Sequence, residues 1–351
     1  MAMKHIVVDA MGGDHAPDGI VSGVAEASLT LPDTRLTLVG DGERIQEILR
    51  AREHADDRVE IHHAGDVIGM DEPPQAALNA KPDASVNVAA KLVAGETGSA
   101  LVSAGNTGAC VLACARHWQL IPGVRRSGFA AVYPTEMRRG EHQDPFSLIL
   151  DVGATLEATA EDLVAFAIMG SAYARVVSHN EKPRVALLSN GTEPSKGLPE
   201  IVEAHALLQQ MPSIDFIGNI EGLDIPRGNA DVVVCAGFVG NVVIKMLEGV
   251  AGTVTDLAKF AYKESLLWRA GLIMLSGGIK RLKAVTDWRQ YGGAPLLGFD
   301  NLCIKAHGRS TSKPLSNAVR VADKALSADL NGLIIRSIGE LRSNASPIPP
   351  A

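Results

Sequence analysis

The sequence predicts an α/β protein with three layers, α/β/α, in which helices cover both faces of a largely parallel sheet. Short apolar runs typical of strands recur along the chain and mostly alternate with segments of helical spacing. Composition agrees, because 46% of the residues are hydrophobic, only 4% are aromatic and 35 are glycine, as is usual in α/β enzymes. The runs that predict strands are HIVV, LTLV, VEI, ALVSA, SLIL, RVALLS, IDFIG, DVVVCA and LCIKA.

The chain of 351 residues is longer than a usual single domain. Internal repeats, low-complexity tracts and long linkers are absent from the sequence, so we expect residues 1–335 to form one α/β unit or two closely joined lobes. Residues 336–351 are expected to form a helix end and a frayed, proline-rich tail. The polar stretch 138–144, RRGEHQD, is expected to be a solvated loop.

Charge and cysteine content limit the possible partners. The net charge of −7 argues against nucleic acid as the main partner. The four cysteines lie in apolar segments, which is typical of small buried residues in a reducing compartment. Cys110 and Cys114 are one helical turn apart, but no second pair or nearby histidine has the spacing of a structural zinc site, so no metal is expected.

The N-terminal region does not resemble a signal peptide, since its apolar run of four residues meets Asp9 at once. The sequence contains no stretch of 18 uninterrupted apolar residues of the kind that spans a membrane. We therefore expect a cytoplasmic protein that contacts membranes only at its surface.

Glycine-rich turns follow several of the predicted strands. They are DAMGGDHAP, SAGNTGAC, SNGTEPSKG, CAGFVGNVVIK and KAHGRS. One such turn is common in any doubly wound sheet, where it joins a strand tightly to a helix. Several turns that carry Asn, Thr, Lys or His favour an anionic ligand, bound in one crevice where the carboxyl ends of the strands converge.

Cationic and amide side chains accompany these turns. Lys196, Lys245 and Lys305 supply positive charge for a phosphate, His307 is a further donor, and Asn106, Asn219 and Asn241 add neutral donors. Each has an ordinary structural alternative, namely a solvent-facing lysine, a core histidine or an asparagine that holds a turn. The position that they share beside glycine turns favours ligand binding for the group.

Several known catalytic motifs are missing from the sequence. It lacks the G-x-S-x-G nucleophile elbow, a cysteine–histidine signature, the G-x-G-x-x-G dinucleotide fingerprint and the GxxxxGK[ST] loop. Inorganic phosphate or a small phosphorylated molecule therefore fits better than ATP or NAD, and no cofactor is expected.

Eight motifs, in order and spacing, resemble the bacterial phosphate acyltransferase family PlsX between about residues 5 and 325. They are VDAMGGDHAP, SAGNTGA, LDVGA, AIMGS, FIGNIEG, ADVVVCAGFVGNVVIKMLEG, YGGAPLLG and IKAHGRS. The resemblance implies a fold like that of phosphate acetyltransferases and isocitrate/isopropylmalate dehydrogenases. It also implies transfer of a long-chain acyl group from acyl carrier protein to inorganic phosphate, and the resulting acyl phosphate would feed phospholipid synthesis.

The resemblance further implies a homodimer, peripheral association with the inner face of the anionic cell membrane, and a downstream glycerol-3-phosphate acyltransferase that uses acyl phosphate. Two alternatives remain open at this point. One is a phosphate acetyltransferase-like enzyme that uses coenzyme A thioesters, and the other is a non-catalytic membrane-surface scaffold for lipid-synthesis enzymes.

Positions that match the family motifs provide the candidate site. The expected catalytic residues are His15, Asn106, Lys196, Asn241, Lys305 and His307. The expected phosphate- or substrate-binding residues are Asp9, Gly12, Gly13, Asp14, Gly105, Thr107, Glu193, Asn219, Gly237, Gly240 and Lys245. Asp151 and Glu221 also match the motifs, whereas Val239 stands where the family often has Thr, so a hydrogen bond from that hydroxyl is lost.

These residues suggest a direct attack of phosphate on the thioester. Phosphate would be held by the glycine turns with Lys196 and Lys305, and Asn106 or Asn241 would donate to the developing oxyanion. His15 or His307 would protonate the leaving sulfur or orient phosphate.

Residues 263–290 predict an amphipathic helical hairpin with a local charge of +4. Its apolar face comprises Trp268, Leu272, Leu275, Ile279 and Leu282, and SGG at 276–278 is expected to kink or split the helix. The hairpin either packs on the core or a dimer partner, or contacts an anionic membrane or the acidic carrier protein.

Overall fold

The computed structural model of the chain describes residues 3–96, 98–139, 144–278 and 292–344. The strands within these ranges are β1 (Lys4–Asp9), β2 (Thr34–Gly40), β3 (Val59–His63), β4 (Ser99–Ser103), β5 (Gly128–Arg139), β6 (Asp144–Leu150), β7 (Arg184–Leu188), β8 (Asp215–Ile220), β9 (Val232–Val234), β10 (Ala294–Leu297) and β11 (Leu302–Lys305). The helices are α1 (Asp18–Ser28), α2 (Gly42–Arg50), α3 (Pro74–Ala80), α4 (Ser85–Ala94), α5 (Thr107–His117), α6 (Ala160–Val177), α7 (Pro199–Gln209), α8 (Asp224–Arg227), α9 (Gly237–Glu264), α10 (Leu266–Met274), α11 (Ser312–Ser327) and α12 (Leu330–Asn344).

All of these strands form one sheet, in the order β3-β2-β1-β4-β11-β10-β5-β6-β9-β7-β8. A continuous apolar core lies on one face along both halves of the sheet, and the opposite face carries two separate clusters. In β1, Ile6 and Val8 enter the continuous core while Val7 enters a cluster on the other face. A strand covered on both faces is apolar throughout, which is why short continuous runs identified the strands. The predicted three-layer α/β class is confirmed.

The nine predicted strands are all present, but β5 and β10 escaped prediction. β5 contains Pro134 and ends in charged residues, and β10 has only four residues, one of them Pro295. The predicted loop 138–144 is shorter than expected, because Arg139 pairs with Asp144 at the end of the β5–β6 hairpin. Residues 140–143 lie outside the described ranges.

The two strands that escaped prediction reverse the direction of half of the sheet. β10 is antiparallel to β11 and to β5, and β5 is antiparallel to β6. The strand direction therefore changes three times between β11 and β6. As a result, the strands β6, β9, β7 and β8 run antiparallel to β1, β4 and β11. The glycine turns therefore follow strands of two opposite directions and divide into two groups.

Sheet twist reduces the angle between the strands that carry these two groups of turns. Adjacent strands usually rotate by about 20 to 25°. Over the six steps from β4 to β7, twist of this usual size adds up to about 120 to 150°. It would reduce the angle between the directions of β4 and β7 from 180° to about 30 to 60°.

α9 is a 28-residue helix with a largely exposed apolar face. Among the described residues it is the one helix whose length and composition would allow it to cross a membrane, which by itself is weak evidence. The predicted hairpin 263–290 begins in its last residues. α10 then ends at Met274, before the SGG at 276–278, and residues 279–290, with Ile279 and Leu282, lie outside the described ranges.

Candidate active site

Three loops meet at the carboxyl edge of β1, β4 and β11, which are parallel neighbours in the sheet. The loops after β1 and β11 are joined by a hydrogen bond of 2.8 Å from the Asp14 N–H to the Gly308 carbonyl. This edge, here called the β1/β4/β11 edge, collects most of the predicted residues from three motifs. They are Asp9, Gly12, Gly13, Asp14, His15, Gly105, Asn106, Thr107, Lys305 and His307.

Asp9 is the buried centre of this edge. Its side chain is 1% exposed and accepts hydrogen bonds from the hydroxyls of Ser85 at 2.6 Å and Ser103 at 2.7 Å, and from the N–H of Met11 at 3.3 Å. Burial raises the pKa of Asp9, and the two serine hydroxyls oppose that shift. Asp9 therefore ties the loop after β1 to β4 and α4 and does not face solvent.

The glycines of this edge allow the loops to pack closely. A Cβ atom on Gly12 would lie 2.4 Å from Asp9 Oδ2 and 2.7 Å from the Cα of Gly105. Gly13 has a φ of +111°, and a Cβ atom there would lie 3.0 Å from the Gly308 carbonyl oxygen. Both positions therefore require glycine, the first for space and the second for backbone conformation as well.

Backbone N–H groups of the first loop are only partly used by the protein. Met11 donates to Asp9 and Asp14 to Gly308, whereas within the described ranges the N–H groups of Gly12, Gly13 and His15 donate to no protein acceptor. The N-terminus of α5 lies beside this loop, since Gly12 contacts Gly105 directly. Free amides next to a helix N-terminus form a site for an anion such as phosphate.

Asn106 does not have the role that the sequence suggested. Its side-chain oxygen accepts the N–H of Ala109 at 3.1 Å and caps α5. Its side-chain nitrogen donates to the carbonyls of Met70 and Glu72, each at 3.0 Å, and of Gly69 at 3.3 Å. Both amide hydrogens are thereby occupied, so the expectation of Asn106 as the oxyanion donor is corrected: it positions α5 and the 69–72 loop.

Lys305 is a buried, positively charged residue at the β1/β4/β11 edge. It is the last residue of β11, is 7% exposed, and its ammonium donates to the carbonyl of Ala306. Burial lowers the pKa of Lys305, and the nearby Asp9 and Asp14 carboxylates act in the opposite direction. Lys305 is therefore a buried lysine at the same edge as the first loop, and its role in phosphate binding stays a prediction.

His15 and Asp14 are exposed at the mouth of this edge. Together with Arg52, Thr311 and Ser312 they line an open groove of about 770 Å³. Because the groove also contains the carboxylates of Asp14, Asp18 and Glu26, it does not resemble a phosphate site itself. His15 is accessible to a substrate that enters through the groove.

His307 follows Lys305 at the same edge. Its Nδ1 accepts the N–H of Arg309 at 3.2 Å, so the neutral ring carries its proton on Nε2. Partial burial lowers the pKa of His307, and the carboxylate of Glu248 on α9 opposes that shift. α9 therefore extends from the second half of the sheet to the neighbourhood of the β1/β4/β11 edge.

The second group of predicted residues surrounds Asp151. This fully buried carboxylate accepts the N–H groups of Phe129, Gly153, Ala154 and Thr155 and the Thr155 hydroxyl, at 2.7 to 3.0 Å. These hydrogen bonds occupy both carboxylate oxygens, so Asp151 holds the loop after β6 in place.

Gly237 and Gly240 allow α9 to pack on this loop. A Cβ atom on Gly237 would lie 2.3 Å from Asp151 Oδ2, and one on Gly240 would lie 1.9 Å from the Asp151 carbonyl oxygen. Asn241 donates to the Val152 carbonyl at 3.0 Å. The expectation that these two glycines cradle phosphate is therefore corrected to a packing role, while Lys245 is exposed further along the helix.

Asn219 has a structural role at the end of β8. It donates to the Glu193 carbonyl at 3.0 Å, and its oxygen lies 3.0 Å from His205 Nδ1. It thereby holds the loop after β7, on which Glu193 and Lys196 are exposed. Glu221 follows β8 and lies apart from the β1/β4/β11 edge, in the second half of the sheet.

Sequence analysis missed the two serines that bind Asp9. Ser103 is the last residue of β4 and the first residue of the SAGNTG glycine turn, so its place at a strand end was a usable signal. Ser85 comes from the first residue of α4, where no motif marks it, and only the fold brings it to Asp9.

Comparison with known proteins assigns the chain to a family. A family model described as "Fatty acid synthesis protein" matches residues 4–332. The chain is similar to a phosphate acyltransferase of Dictyoglomus turgidum, with 40% identity over 337 residues that cover 96% of this chain and 98% of the relative. The chain belongs to this phosphate acyltransferase family. A family member from Desulfitobacterium hafniense is 44% identical over 325 residues, covering 92% of this chain and 94% of the relative.

Solved structures support the predicted phosphate acetyltransferase fold. A phosphotransacetylase from Streptococcus pyogenes superposes with a TM-score of 0.59 at 15% identity, covering 97% of this chain and 94% of its own. The phosphotransacetylase EutD from Staphylococcus aureus gives the same TM-score at 16% identity, with coverage of 93% and 94%. These similarities show the fold, and family membership makes the chain an acyltransferase enzyme.

Proposed function

We propose that the enzyme transfers a long-chain fatty acyl group from acyl carrier protein to inorganic phosphate, and that the acyl phosphate serves phospholipid synthesis. The observation that carries this proposal is the cluster of free N–H groups at Gly12, Gly13 and His15 beside the start of α5 and the buried ammonium of Lys305. Such a site binds a compact anion without a metal or nucleotide motif.

The proposed reaction needs no covalent enzyme intermediate. An oxygen of hydrogen phosphate attacks the thioester carbonyl carbon, the new C–O bond forms, and the C–S bond breaks. The phosphate proton passes to the departing pantetheine sulfur, so that HPO₄²⁻ and acyl thioester give acyl phosphate and free thiol. The site contributes mainly by aligning the two reactants.

Side chains at the edge have defined tasks in this scheme. Lys305 offsets the phosphate charge, and the free amides of the first loop orient its oxygens. Because the side chain of Asn106 is occupied, backbone N–H groups of the first loop donate to the developing oxyanion, where one well-placed donor contributes about 2.7 to 4 kcal/mol. His15 or His307 relays the proton to sulfur.

A carrier-release assay tests the proposed function. Palmitoyl carrier protein is mixed with the enzyme, with and without phosphate, and free carrier protein is measured beside a parallel reaction with palmitoyl coenzyme A. We expect phosphate-dependent release that is faster with the carrier protein. Faster turnover of the coenzyme A thioester would favour the alternative donor, and no release from either would favour a non-catalytic scaffold.

Lys196 is predicted to contribute to phosphate binding from the second group of residues. Lys196→Ala should raise the phosphate concentration for half-maximal rate by about 10- to 100-fold, as expected for a charge-assisted contact of about 1.5 to 3 kcal/mol. Lys182→Ala, which removes another exposed lysine of the same half, is the matched control. An unchanged phosphate requirement in Lys196→Ala would reject this assignment.

A homodimer and a membrane contact complete the proposal. α9 presents an exposed apolar row at helical spacing, comprising Val242, Met246, Val250, Val254 and Leu257, each 51 to 65% exposed. We assign this row to a second copy of the chain and α10 to the inner face of the cytoplasmic membrane. A membrane-bound glycerol-3-phosphate acyltransferase would then receive acyl phosphate at the surface where it forms.

α10 has the composition of an interfacial helix. Leu267 is 79% exposed, Met274 87% and Ile273 55%, while Trp268 is half exposed and Arg269 lies 5.0 Å from the ring centre of Tyr262. Apolar and aromatic side chains beside basic residues favour the surface of an anionic bilayer, at about 1 kcal/mol per basic residue.

Replacing Ile273 and Met274 with Glu should release the enzyme from anionic vesicles and leave turnover in solution intact, because the added charges oppose insertion. Flotation of protein with vesicles, at low and high salt, measures this effect. Ile335→Glu, an exposed apolar position on α12, is the matched control. Unfolding or dissociation to monomers in the double variant would assign α10 to the core or the dimer interface instead.

A further inference from the structure

Three of the four cysteines form a cluster beneath the β1/β4/β11 edge. Cys110 and Cys114 lie one turn apart on α5, and Cys303 lies on β11, two residues before Lys305. Their three sulfur atoms lie within 4.8 Å of one another, and all three residues are fully buried. The fourth cysteine, Cys235, is separate and lies 3.4 Å from the Asp151 carbonyl oxygen.

The spacing of the sulfurs matches a thiolate site for a metal ion. Zn–S bonds of about 2.3 Å in tetrahedral geometry place two bound sulfurs about 3.8 Å apart. The Cys110 and Cys303 sulfurs are 3.5 Å apart, and the third lies within the same 4.8 Å limit. The separations of the three sulfurs are therefore compatible with a shared metal ion.

The charges around the cluster also suit a divalent ion. Three thiolates and a divalent cation carry a net charge of −1, which is compatible with the neighbouring positive charge of Lys305.

We propose that Cys110, Cys114 and Cys303 bind one thiophilic divalent cation of the zinc class, held by three thiolates. Binding would release three thiol protons, since three Cys–SH groups and Zn²⁺ give Zn(S–Cys)₃⁻ and three H⁺. The ion would link α5, whose N-terminus forms part of the proposed phosphate site, to β11, which carries Lys305. It would stabilise that edge and take no part in the acyl transfer.

Metal analysis of the intact protein tests this proposal. The full chain, without a metal-affinity tag, is purified under reducing conditions from cells grown with added zinc, and bound zinc per chain is measured by mass spectrometry. The variants are Cys303→Ala and Cys114→Ala, with Cys235→Ala as the matched control for loss of a buried cysteine. Circular dichroism establishes that each variant is folded.

We expect about one zinc per chain in the parent and in Cys235→Ala, and at least a tenfold loss in the two cluster variants. X-ray absorption of the zinc-loaded parent should show three sulfur neighbours at about 2.3 Å. This second measurement decides the question if the variants do not fold. A parent without zinc, zinc that is insensitive to Cys303, or a spectrum with only nitrogen and oxygen neighbours would overturn the proposal. Loss of zinc with unchanged acyl transfer would leave the proposed function standing.

Discussion

A Lys305→Met variant will convert palmitoyl carrier protein about 10²- to 10³-fold more slowly than the parent enzyme. It will also need a higher phosphate concentration for half-maximal rate. Methionine keeps an unbranched apolar stem in the buried space at the end of β11 but removes the ammonium. The free amides of Gly12, Gly13 and His15 would then face phosphate without a buried counter-charge. Steady-state rates over a range of phosphate concentrations measure the effect.

Lys313→Met is the control for this substitution, because Lys313 is an exposed lysine in the first turn of α11 near the same edge. It should leave both rate and phosphate requirement unchanged. Equal phosphate requirements in Lys305→Met and the parent would contradict the assigned role of Lys305.

The pH dependence provides a separate test of Lys305. Burial lowers its pKa, so its positive charge is lost at a lower pH than that of an ordinary lysine, which titrates near about 10.4. The phosphate requirement of the parent should therefore increase as the pH rises through that lowered pKa. Lys305→Met should lack this increase.

Gly13→Val will abolish most of the acyl transfer. The φ of +111° at Gly13 is unfavourable for a branched residue, and the new Cβ atom would lie 3.0 Å from the Gly308 carbonyl oxygen. The loop must shift, which displaces the free N–H groups from the phosphate. Carrier release in the presence of saturating phosphate measures the loss.

Gly65→Val is the matched control, since a Cβ atom at Gly65 meets no atom within 4 Å and its φ lies outside the left-handed region. That variant should retain its activity and its thermal unfolding temperature. Near-normal turnover in Gly13→Val would show that the loop after β1 does not hold phosphate.

Much of the fold follows from local patterns in the sequence. Strands such as β1 and β9 are covered on both faces, so their apolar runs are visible without any knowledge of the tertiary structure. β5 and β10 lack that signature because both contain proline, and β10 is very short. These two strands set the direction of half of the sheet, so the sequence did not reveal that the glycine turns follow strands of two directions.

The site itself was predictable in part, for a related reason. Glycine turns locate the ends of strands, and they correctly placed Asp9, Gly12, Gly13, Lys305 and His307 at one edge. A motif does not reveal how many hydrogen bonds a side chain has already formed. Asn106 and Asn219 match family motifs equally well, yet the structure uses both to hold loops.

Long-range contacts were beyond sequence analysis. Cys303 is separated from Cys114 by most of the chain, so the spacing of cysteines could not reveal their cluster. Ser85 likewise reaches Asp9 only because α4 packs beside the end of β1.

Identification of the product shows most directly whether phosphate itself attacks the thioester. The enzyme is incubated with palmitoyl carrier protein and phosphate, and the acyl product is separated from the carrier protein and identified directly by mass spectrometry. Direct attack by phosphate predicts acyl phosphate in amounts equal to the free carrier protein and dependent on phosphate. Free fatty acid released at the same rate without phosphate would contradict it.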